Sequence, residues 1–258
     1  MTALLRFAIV PIVFGLLSAP AKASIEPQCH VPQRFYASEP PLVKTPKALA
    51  DGRSVVIVVI GGASSLGLAA GGVELAWPAR LESLFKERFP SARTRVINLA
   101  VSRQTAKRAA ERLDGEILPL KPRLVIWETG TMEAVRRINV DEFRATVQGG
   151  IEKIRAAGAE VMLMNMQFSR ETDAVIQFEP YLIAMRELSA GNRVPLFQRY
   201  AIMRYWVDRG LFDLTPEDTE DRRRVAGRLY DCISRTIGDF VTYGQHSEKR
   251  TTADVLRR

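Results

Sequence analysis

Two rhythms divide this chain. Short unbroken apolar runs recur, and between them lie stretches whose apolar positions repeat every three or four residues. The strongest run is Val55–Ile60, six consecutive apolar residues, mostly β-branched, leading into Gly61-Gly62-Ala63-Ser64-Ser65-Leu66-Gly67. Such a run suits a strand covered on both faces, and the Gly/Ser stretch suits a tight turn leaving the sheet. Further strands are predicted at about 95–99, 124–127, 160–164 and 194–197. Helical spacing is predicted over 77–89, 104–113, 141–157, 179–190, 198–209 and 220–240, with Asp141 as an N-cap and Gly158 as a stop. Met162, Met164 and Met166 fall on one face of the fourth strand and read as core filler. Residues 24–52 hold several prolines and read as an extended lead-in; the tail 242–258 is polar. Strands alternating with helices of this length predict an α/β fold: three layers, a five-stranded parallel sheet with helices on both faces. A single domain over 53–241 accounts for the pattern.

The first 23 residues stand apart. Arg6, an apolar run from Phe7 to Leu17 and Ala21-Lys22-Ala23 have the layout of a cleavable signal peptide. The run is shorter than the roughly 20 residues a bilayer span needs, so no stable span is expected after cleavage. A periplasmic or secreted protein is the expectation. The formal charge is +8, reduced to +6 once Arg6 and Lys22 are removed. The arginines are dispersed over many helices with no basic-aromatic stripe, which argues against nucleic acid as a partner. Two cysteines in an oxidising compartment, Cys29 and Cys232, predict one disulfide tying the N-terminal segment to the last helix. Two separate buried thiols are the alternative.

The Gly62–Gly67 turn resembles a dinucleotide-binding turn, but no Tyr has a Lys four residues later and Asn98 stands where an acidic residue would close the second strand. No cofactor and no metal site are expected. A broader resemblance covers the mature chain. Four blocks occur in order: Ile60–Gly67 followed by Trp77-Pro78-Ala79-Arg80-Leu81; Val96–Ala106; Lys121–Ala134; and the segment from Asp221 through Gly227, Tyr230 and Cys232. Together they resemble the SGNH/GDSL hydrolases, flavodoxin-like ester hydrolases. That resemblance implies a Ser nucleophile in the first turn, a His base and an Asp in the last block, and an oxyanion hole built from amides and an Asn side chain.

Aligned on Gly61 and Gly67, the family positions are substituted. Ala63 takes the nucleophile position, Arg103 the block-two Gly, Met132 the Asn and Arg224 the His, with Glu133 in place of an Asp and Asp221 retained. The chain has two His, His30 in the lead-in and His246 in the tail. An Arg stays protonated and cannot serve as the base. The expectation is a catalytically degenerate member acting by binding, with a small-molecule ester or acylated glycan as ligand and an undetermined oligomeric state. The alternative is an atypical ester hydrolase or transferase in which Ser64 is the nucleophile, Gly62 lines the pocket, and Asp221 or Glu133 is the base. The bland reading of Ser64 and Ser65 is helix capping. Arg103, Arg224 and Glu133 are expected to converge at the pocket mouth, as a salt-bridge plug or as an anion site.

Overall fold

The computed structural model describes residues 29–36 and 40–255, with side chains through Tyr243. The segment read as a signal peptide and the side chain of His246 lie outside the described residues. The chain folds into one all-parallel sheet of five strands in the order β2-β1-β3-β4-β5. The strands are β1 Val55–Ile60, β2 Thr94–Asn98, β3 Leu124–Glu128, β4 Glu160–Met164 and β5 Leu196–Phe197. Around them are helices α1 Lys44–Ala50, α2 Trp77–Arg88, α3 Ala106–Glu111, α4 Thr131–Arg136, α5 Val140–Ala156, α6 Arg170–Val175, α7 Glu179–Asn192, α8 Arg199–Asp208 and α9 Thr219–Val255. Among the described residues no helix is long and apolar enough to cross a membrane.

Alternation along each strand sorts the core into two layers. Ile57, Val59, Leu124, Ile126, Met162 and Met164 pack against α1, α2, α8 and α9. Val58, Ile60, Val125, Trp127, Val161 and Leu163 pack against α3, α5 and α7. This is why β1 and β3 read as unbroken apolar runs: both faces are covered. The second layer is closely fitted, since a Cβ on Gly150 of α5 would lie 2.2 Å from the Trp127 ring. Met166 departs from the expected stripe. The strand ends at Met164, and beyond it the chain turns Met166 into the opposite layer.

Other boundaries differ for identifiable reasons. The lead-in is not wholly extended: Pro46 sits in the first turn of α1, where no intrahelical N–H is required. The α1 start is capped from a distance, because the Glu160 carboxylate accepts from the backbone N–H groups of Val43, Lys44 and Thr45 at 2.6–2.8 Å. Asn139, not Asp141, caps α5, accepting from the amides of Asp141 and Glu142. The α9 helix continues through the stretch read as a polar tail. Cys29 and Cys232 are joined across 203 residues, fixing the N-terminal segment to α9.

Strand order reverses between β1 and β3. In open α/β sheets the crevice at such a switch point, beyond the strands' C-terminal ends, is where ligands sit. The turn after β1 and the Glu128-Thr129-Gly130 turn after β3 both lie there.

Candidate functional site

The turn after β1 starts with Gly61, where a Cβ would come within 2.7 Å of both a Glu128 oxygen and the Ser65 hydroxyl. Glycine is needed to let the two strand ends approach so closely. Ala63 is exposed at the outside of the turn and Gly62 is half-buried. Ser64 and Ser65 point inward and are buried.

Inside is a closed polar cluster. The Ser64 hydroxyl donates to Glu128 Oε1 at 2.7 Å. Arg199 donates from Nη1 to Ser64 Oγ and from Nη2 to the same Glu128 oxygen, each at 2.8 Å. The Ser65 hydroxyl donates to Glu128 Oε2 and accepts from the Trp77 indole N–H at 3.1 Å. The Asn98 side chain holds the turn from below, donating to the Ser65 carbonyl at 2.6 Å. The side chains of Arg199 and Glu128 are only 3% and 6% exposed. Burial pushes the Glu128 carboxyl upward, but the Arg199 guanidinium and the two serine hydroxyls outweigh it and hold the group below its ordinary value.

The expected bases are elsewhere. Asp221 lies at the start of α9 and pairs at 2.6 Å with Arg224, both substantially exposed; neither is joined to Ser64. Glu133 accepts from the amides of Ala106 and Gly130, tying the block-two and block-three turns together. Burial raises the Glu133 carboxyl, partly offset by those amides. Arg103, Arg224 and Glu133 therefore form no plug: the carboxylate is satisfied by backbone, Arg224 by Asp221, and Arg103 is exposed. Arg103 has φ 59°, a left-handed backbone that favours glycine. Met132 is half-buried on α4 and offers no donor. His30 is exposed on the N-terminal segment.

Sequence reasoning missed Glu128 and Arg199. The signals were there: an acid closing a wholly apolar strand, and an arginine two residues beyond the fifth strand, at the start of α8. A charge in such a place has to be paired.

The arrangement holds a serine hydroxyl against a carboxylate in hydrogen-bond reach. That is the geometry of a nucleophile and base, but the guanidinium holds both oxygens.

The model for the non-GDSL lipase-like family matches residues 28–247. No curated protein matches the sequence. Solved structures share the fold. The lipase/acylhydrolase from Enterococcus faecalis superposes with TM-score 0.56 at 20% identity, covering 71% of this chain and 95% of its own. TesA gives 0.53 at 19%, covering 70% and 99%. A two-domain esterase active on acetylated mannans gives 0.60 at 18%, covering 81% of this chain but 57% of its own. At such identities these likenesses speak for the fold alone. With the family model spanning most of the sequence, the chain belongs to the non-GDSL lipase-like family, and its β2-β1-β3-β4-β5 sheet gives it the fold of the SGNH/GDSL-type structures it superposes on.

Proposed function

We propose that this is a catalytically silent member of the esterase-like family that acts by binding in the cell envelope. One observation carries the reading: the Ser64 hydroxyl, held against the Glu128 carboxylate at the switch point, is shared with Arg199. A carboxylate kept low by a buried guanidinium is a weak acceptor for a serine proton near neutral pH, because general-base efficiency peaks when the pKa lies near the working pH. Removing a triad member or an oxyanion donor typically costs at least about 10²–10³ in rate, and here Ala63, Met132 and Arg224 remove several.

The ligand class is a small ester or an acylated glycan, meeting the exposed turn residues Ala63, Ser102 and Arg103. The structural likeness to an esterase active on acetylated mannans supports the glycan option. Export is supported by the signal-like pattern of residues 1–23 and by the Cys29–Cys232 disulfide, a bond typical of oxidising compartments.

The test is incubation of the purified protein with short-chain p-nitrophenyl esters and a fluorophosphonate probe. No turnover above the protein-free rate and no covalent label are expected. Labelling at Ser64 that disappears in Ser64→Ala would overturn the silent reading and favour the Ser64–Glu128 hydrolase. Mass spectrometry of the protein from a cell-envelope fraction checks export: an intact Met1 would refute it.

A further inference from the structure

Away from the Ser64 cluster, a groove of about 850 Å³ runs between the 68–76 loop and the first turns of α9. Ala70 and Leu75 form its loop side; Arg223, Arg224 and Arg228 form its helix side. Around it, five arginines face three carboxylates, so the lining is positive.

The loop is built to display apolar side chains. A Cβ on Gly67 would lie 2.3 Å from the Gly72 carbonyl oxygen and 2.7 Å from the Ala76 Cβ, so the loop is pinched tight at its neck. The Gly67 carbonyl accepts from the amides of Ala70, Gly71 and Gly72 at 2.9–3.1 Å. The backbone is thus satisfied internally, yet Leu68 is 60% exposed, Val73 49% and Leu75 46%. Three of the nine large apolar side chains exposed among the described residues fall in this one eight-residue loop. A cluster of that kind marks an interaction surface.

We propose that the Leu68–Leu75 loop and the arginines of α9 form a docking surface for an anionic phospholipid bilayer. The apolar side chains enter the interfacial zone while the planar guanidiniums meet lipid phosphates, whose paired oxygens match arginine's fork of donors. A soluble anion would leave Leu68, Val73 and Leu75 without a role. Three side chains are also too few to anchor a stable protein interface, which buries roughly 800 Å² per partner. The positive lining and the chain's net positive charge, +6 without Arg6 and Lys22, match an anionic surface. Nothing in this requires the Ser64 cluster to be silent or active.

The experiment is co-sedimentation of the full chain with vesicles of equal parts phosphatidylglycerol and phosphatidylcholine, and with phosphatidylcholine alone. Circular dichroism confirms that each variant is folded. Binding to the anionic vesicles is expected to weaken roughly fivefold per arginine removed in Arg223→Gln and Arg224→Gln. It should also weaken in Leu68→Ser/Leu75→Ser, and more at high salt for wild type than for the arginine variants. Because residues 1–23 are the same in every protein, binding by that apolar segment would show no difference between wild type and variants, and that result overturns the proposal. So does equal binding to both lipids, or full displacement by inorganic phosphate, which would mean a small-anion site instead.

Discussion

Two arginine–carboxylate pairs stand at opposite ends of the environmental scale. Arg199–Glu128, with N···O 2.8 Å, is almost fully buried; Arg224–Asp221, at 2.6 Å, has side chains 70% and 50% exposed. Their contact distances are nearly equal, so distance does not rank them. The exposed pair exchanges good solvation for a good contact and gains little. The buried pair has given up its water entirely, and its worth lies in each ion needing the other. The pair that sits where the family's base is expected is therefore incidental to stability, and the pair unknown to the family pattern holds the turn.

The sharpest way to break that contrast is to remove one buried partner. Arg199→Met leaves Glu128 ionised and uncompensated, and should cost about 3–5 kcal/mol in urea unfolding. A loss below about 1 kcal/mol would mean that water reaches the cluster. The same variant reverses a pH dependence. In the wild type Glu128 is held low, so it binds fewer protons folded than unfolded; its contribution is present above about pH 4.3 and fades as the pH falls through the folded value. Without the guanidinium, burial dominates and the group gains stability as it protonates. The gap in urea midpoint between wild type and Arg199→Met should therefore narrow steadily on acidification, and a constant gap would contradict the assignment. Replacing both partners, Glu128→Leu with Arg199→Met, should recover most of the single-variant loss, ending within about 2 kcal/mol of wild type. The smallest effect belongs to the surface: Asp221→Ala or Arg224→Ala should shift stability by less than about 0.5 kcal/mol. A larger shift would show that the pair does structural work its exposure hides.

The sheet was readable because its strands are apolar on both faces. Glu160–Met164 is predicted and observed with the same bounds, and the α5 stop at Gly158 follows from its left-handed φ of 86°. What escaped depended on distant partners. The α1 start is capped by Glu160, more than a hundred residues later, and no local pattern announces that. Asp141 looked like a cap, yet Asn139 two residues earlier offers its side chain to the first amides. At the site, alignment put Ala63 at the nucleophile position with Ser64 next to it; in the fold Ala63 is exposed and Ser64 turns inward. Alignment could not supply the carboxylate, because Glu128 ends β3 and Arg199 opens α8, and the two meet Ser64 only after folding. A search for family bases looks in the family's last block. The carboxylate came instead from the end of β3, and the arginine that holds it from the start of α8.

The Cys29–Cys232 bond also shapes what a protease can accomplish. With its ends 203 positions apart in sequence, a single cut in any exposed loop within that span leaves both fragments covalently joined. A nicked molecule would run as one species on a non-reducing gel and separate into two only after thiol treatment. Clipping at one site thus opens the ring without releasing a piece.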